Sequence, residues 1–183
     1  MTVRYLLSAG TVVGLSVTGT LAVWSDSVTV TGATFSTGTI DLQVNNLDTV
    51  TGYTTMNLSN MVPGNSTAGV LTVKNNGTAP LKYSVDATAS NADLKGLGAA
   101  LVVKVTGDAA TSGSSPSVTC AGTALSNTGT TFAANLVSST TPRQLNAGAS
   151  ETLCIQATLP GAAANSLQAA STNVGFTFTG NSF

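Results

Sequence analysis

GLSVTGTLAVWSDSVTVTGATFSTGTIDLQV, residues 14–44, decides how the rest of the chain is read. Two signals overlap in it. The apolar run from Leu6 to Val23 ends as a secretion signal does: Thr20-Leu21-Ala22 puts small residues at the −3 and −1 positions of a cut between Ala22 and Val23. A membrane anchor would need ~20 strongly apolar residues, and this run is interrupted by Ser8, Gly10, Thr11, Gly14, Ser16 and Thr18. Residues 1–22 are therefore expected to be a cleavable signal, with no membrane span left after cleavage. Directly behind the cut comes a strand pattern. Val28 and Val30 alternate with Ser27, Thr29 and Thr31, and Trp24 shares their face, as does Asp26. Gly32 can act as a hinge. Ile40, Leu42 and Val44 then share one face of a second strand, 39–44.

Outward from that stretch the chain is a series of short strands with a turn signal about every ten residues. Strands are expected over 54–58, 70–74, 81–87, 101–105, 151–159 and 174–178, with less regular strand patterns over 119–124, 132–137 and 143–145. Pro63-Gly64 fits the centre of a type II turn, and Asn75-Asn76-Gly77 marks another turn. The one helical hint is a single turn over 91–96, and 108–116 is a Gly/Ser-rich loop. This pattern specifies an all-β sandwich of eight or nine strands in one domain, 23–183, with residues 23–32 as an N-terminal arm. Periodicity does not separate jelly-roll from immunoglobulin connectivity.

Only 7% of the residues are charged, with 7 acids, 6 bases and no histidine, against about 25% in an ordinary soluble domain. Lys74, Lys82, Lys95, Lys104 and Arg143 stand singly. Nucleic-acid binding needs clustered cations, so it is set aside. Without histidine a Ser/His/Asp or Cys/His relay is excluded, and so is an HExxH zinc site. Glu151 is the only glutamate, and no second acid lies within five positions of it. No catalytic residue, cofactor or metal is expected, and the chain is read as no enzyme. Cys120 and Cys154 are 34 residues apart. Outside the cell two cysteines in a small domain usually pair, and a loop of that length would stabilise by roughly 3–4 kcal/mol in the chain-entropy picture. The alternative is two reduced core thiols.

GTLAVWSDS at 19–27, ATFSTGTIDLQV at 33–44, MNLSNMVPGNS at 56–66, LTVKNNGTAPLKYSV at 71–85 and NSLQAASTNVGFTFTG at 165–180 together resemble the TasA/camelysin family. The five matches are collinear along the chain, and no likeness is seen over 108–144. The resemblance implies a jelly-roll sandwich that is secreted and polymerises into extracellular fibres of biofilm matrix or pili. It also implies a signal peptide cut just before the aromatic-Ser-Asp segment, and an N-terminal strand that completes the sheet of the next subunit. An anchoring or accessory matrix protein is a further partner of the kind implied. Some relatives carry a metallopeptidase label.

A physical argument stands beside the resemblance. Residues 23–31 make a strand of ~9 residues, ~30 Å when extended. After cleavage no strand precedes it. Pairing in trans would supply main-chain hydrogen bonds and side-chain sites for Trp24, Val28 and Val30. A head-to-tail contact of that kind does not close on itself. The expectation is thus a homopolymer built by donor-strand complementation. The competing expectation is a strand folded back on its own sheet, giving a monomeric secreted surface-binding or matrix-binding module.

Overall fold

A computed structural model describes residues 36–183, apart from Gly52, 126–129 and 133–134. The expected cleavage at Ala22–Val23 and the arm residues Trp24, Val28 and Val30 lie outside the described residues.

Strong alternation of Val, Leu and Thr makes long strands wherever both neighbours can pair. β2 (Ser66–Asn75), β3 (Leu81–Ala89) and β9 (Ser150–Thr158) are the longest of these. β2 and β9 form the centre of one sheet, flanked by β1 (Leu42–Val44) and β4 (Val102–Gly107) in the order β1-β2-β9-β4. The second sheet has β10 (Val174–Asn181), β3 and β7 (Asn135–Val137) in that order, and β8 (Arg143–Leu145) also pairs with β3. Every one of these pairings is antiparallel. The sheets face each other as an all-β sandwich, and Leu71, Val73, Tyr83, Val85, Leu153 and Ile155 fill the space between them.

The turn at Asn75 carries the chain from one sheet to the other. Asn75 is fully buried, and its side-chain amide donates to the carbonyls of Ala79 (2.8 Å) and Leu145 (3.2 Å). Its oxygen accepts from Gly77 N–H at 3.0 Å. A buried amide with partners on each side fixes a crossover that an apolar residue could not. Pro63-Gly64 forms the expected turn, with Gly64 at φ 93° and Asn65 N–H bonded to Val62 O.

The cysteines pair as expected: Cys120 and Cys154 are joined, with Cα atoms 5.7 Å apart. Cys154 lies on the outer face of β9, opposite Leu153 and Ile155. The face is covered by a flap built on the two-stranded hairpin β5 (Thr111–Ser112) and β6 (Thr119–Cys120). Side chains of the sheet hold the flap down. Gln156 accepts from Cys120 N–H (2.9 Å), Lys104 donates to Cys120 O (3.0 Å), and Ser66 donates to Val118 O (2.8 Å).

Five local expectations are corrected. Residues 54–58 form no strand. Gly69 of β2 has no side chain, and a Cβ there would overlap both Tyr53 and Met56. Those two side chains lie across β2 instead, and the Tyr53 hydroxyl donates to Val70 O at 3.0 Å. The helical turn falls at α1 (Leu97–Ala100), not at 91–96. Asn91 accepts from Gly96 N–H, and Asp93 from Lys95 N–H and Ser171 N–H, so side chains take the amides a helix would need. β5 lies within the stretch expected to be only loop, and β6 stops at Cys120 because Gly122 turns the chain at φ 82°. β1 is shorter than 39–44. Asn45 and Asn46, both left-handed, form a two-residue turn after it.

Candidate functional site

The two long sides of the sandwich differ. One is closed by a polar bridge. Tyr83 of β3 and Arg143 of β8 belong to one sheet, and Glu151 of β9 belongs to the other. The Tyr83 hydroxyl donates to Glu151 Oε1, and Arg143 Nε donates to both carboxylate oxygens, at 2.9 and 2.8 Å. Arg143 Nη2 completes the ion pair. Burial and the adjacent carboxylate push the Tyr83 hydroxyl above its ordinary value of 10. The same carboxylate, through its hydrogen bonds first, raises Arg143 above the ordinary guanidinium range. A buried charge keeps its place only when it is paired in this way. β4 also comes close here: a Cβ on Gly107 would lie 3.2 Å from Arg143 Nη2.

The other side carries a cleft of about 900 Å³ between β1 and β10. Leu42 and Val44 of β1 line one wall, continued by Tyr53, Met56 and Met61. Val174, Phe176 and Phe178 of β10 line the other, and Leu71, Leu101 and Phe132 form the floor. Phe176 meets Phe132 edge to face at 6.1 Å, and Phe178 tilts against Tyr83 at 6.5 Å. Burial alternates strictly along β10 between half-buried and exposed. Its inward residues thus remain only half-covered, whereas those of β3 are fully buried. Among the described residues β10 pairs with β3 alone. No other described strand pairs with its far edge, and an edge of that kind is where a further strand can be added. Asp48 is the one charged residue in the lining.

The ends of this cleft are unlike. At one end Leu42 lies against Gly180, so close that a Cβ on Gly180 would sit 3.3 Å from its side chain. The lining runs along β10 from Thr172 to Phe178 and stops short of that contact. At the other end it reaches Thr172 and Asn173. The segment leading into β1 is fixed at the closed end. Thr39 accepts from Thr78 N–H (2.8 Å) and Ala79 N–H (3.0 Å), and Asp41 O accepts from Asn76 N–H (2.7 Å).

Chemically, the site suits an extended segment with alternating apolar side chains. It holds no nucleophile with a base. The bonded Cys120–Cys154 pair lies on the outer face of its sheet, away from the cleft. Among the described residues no three of His, Cys, Asp and Glu are grouped to hold a metal. No helix among them is long and apolar enough to cross a membrane. The sequence pattern placed Val174, Phe176 and Phe178 on one face but did not reveal that their strand is an edge. It also missed the Tyr83–Glu151–Arg143 bridge. A signal was there, since Glu151 shares the period-two face of Leu153 and Ile155.

Two comparisons bear on this site. The model of a family described as camelysin metallo-endopeptidase matches residues 4–182. Comparison with individual curated proteins gave no match.

Proposed function

The chain belongs to that camelysin family, and from this premise we propose that it is a secreted structural subunit of an extracellular fibre, its N-terminal strand completing the sheet of a neighbouring copy. The observation that carries the reading is the half-covered β10 edge beside an apolar, nearly uncharged cleft. Residues 23–31 supply what such a site accepts: Val28 and Val30 on one face, Ser27 and Thr29 on the other. Strand addition of this kind draws affinity from main-chain bonds and selectivity from alternate side chains. The segment following the arm is fixed at one end of the sandwich, and the cleft reaches the other. Successive copies therefore stack head to tail in an open series. Jelly-roll connectivity, export through cleavage after Ala22, and biofilm-matrix or pilus assembly belong to this same reading.

The family's printed description is that of a peptidase. The residues of this chain do not fit a catalytic metal centre. Histidine is absent from the sequence, and Glu151, the one glutamate, is held by Arg143 and Tyr83. The test is negative-stain microscopy of protein beginning at Val23, beside the same protein lacking residues 23–31. Filaments are expected from the first and only single particles from the second. Filaments of equal length from both would refute the arm's role.

A further inference from the structure

We propose that Met56 and Met61 are oxidation sites that make the cleft sensitive to peroxide, so that converting two thioethers to sulfoxides switches assembly off; this rests on the fibre reading above. The chain has three methionines. Met1 opens the sequence, and the other two both line the cleft, in the same wall. Both are half-buried and pack against the core. That core is built of Val, Leu, Ile, Ala, Phe and Tyr, which carry no sulfur. The two cysteines are bonded to each other on the far face of their sheet. Beyond Met1, the chain's thioether sulfur is thus confined to one wall of one site. Thioethers suit an adaptable apolar surface, and they are also the apolar side chains that oxidation turns polar.

Met56 sits where β2 has no side chain of its own. A Cβ on Gly69 would overlap both Met56 Cγ and the Tyr53 hydroxyl, and that hydroxyl is committed to Val70 O at 3.0 Å. Residues 53–61 form no strand, so this wall keeps its place through contacts of that kind. The chemical step is a two-electron oxidation of sulfur. A sulfur lone pair attacks one oxygen of hydrogen peroxide, the S–O bond forms and the O–O bond breaks. The departing hydroxide takes the proton from the new S–OH and leaves as water. At Met56 the sulfoxide oxygen needs a donor, and Tyr53 can serve only by giving up Val70 O. A polar atom left unpaired in an apolar contact weakens association by about tenfold to a hundredfold. A strand already seated in the cleft covers both side chains, whereas an empty cleft leaves them half-exposed. The device therefore acts on free subunits and spares finished filaments.

The test treats protein beginning at Val23 with hydrogen peroxide, either as free subunits or after assembly, and locates sulfoxides by tandem mass spectrometry. Free subunits should gain one oxygen at each of Met56 and Met61, keep their far-UV circular dichroism, and assemble at least about tenfold less. Filaments given the same treatment should oxidise more slowly at both positions. Methionine sulfoxide reductases for both sulfur epimers, supplied with a thiol, should restore assembly. Met56→Leu with Met61→Leu keeps the apolar volume without the sulfur. Its assembly with and without peroxide, compared only with each other, should agree. Oxidised subunits that assemble like untreated ones, or a double variant that loses assembly to peroxide as the parent does, would overturn the switch and leave the fibre reading standing. So would oxidised protein that has lost its fold, because the sandwich and not the cleft would then be the target. Untreated protein that forms no filaments would overturn the fibre reading, and the switch with it.

Discussion

Tyr83 and Glu151 stand on opposite sheets, and the phenol donates its proton to the carboxylate across the sandwich. Arg143 neutralises the charge from beside Tyr83. Removing the cation leaves a carboxylate whose side chain is only 7% exposed without its partner. Arg143→Met should therefore destabilise the fold by about 3 kcal/mol. Chemical denaturation followed by far-UV circular dichroism checks this. A change below about 0.5 kcal/mol would show the bridge to be dispensable.

The same bridge gives an alkaline signature. The Tyr83 hydroxyl titrates above its ordinary value of 10, through burial first and the Glu151 hydrogen bond second. The folded state therefore disfavours the phenolate. Its contribution to stability is complete below pH 10 and is lost as pH rises above that value. Tyr53 is shifted the same way by burial. The melting temperature should fall between pH 9.5 and 11.5, and Tyr83→Phe should flatten that fall while lowering stability at pH 7. An equally steep fall in the variant would place the titration elsewhere.

Much of this was readable beforehand, for a physical reason. β9 and β3 pair on both edges and alternate apolar with polar residues, so period two found them. β7 and β8 were found too, within a few residues. The exceptions are places where a side chain replaces the backbone as partner. Tyr53 bonds Val70 O where a strand over 54–58 was expected, and Asn91 and Asp93 displaced the helical turn to α1. The cleft was invisible because it is a property of strand order. A strand pattern in 174–181 does not tell whether one neighbour or two will flank it.

Asp93 offers an acid-side test confined to one loop. The amide of Ser171, and then that of Lys95, holds its pKa below the ordinary 3.8. A depressed carboxylate stabilises the folded loop above its unfolded value, and that help disappears as pH falls through the folded one. Hydrogen exchange at Ser171 and Lys95 should accelerate, relative to amides of β9, only once pH drops below 3.8. Asp93→Asn should remove that step. Exchange independent of pH in the parent protein would contradict it.

The flap and the cleft belong to different faces, so they should be separable. Replacing Cys120 and Cys154 together by Ser should cost about 3 kcal/mol, measured by urea unfolding, and should leave filaments of ordinary length. Loss of filaments in a variant that remains folded would tie the flap to assembly.

The central claim is that one copy's arm occupies another copy's cleft, and complementary defects test it most directly. One partner lacks residues 23–31 and keeps its cleft. The other keeps its arm and carries Val174→Arg at the cleft mouth. Each alone should remain monomeric by mass photometry, and an equal mixture should form a one-to-one pair that grows no further. A mixture that stays monomeric, or an arm-deleted protein that polymerises alone, would contradict the account.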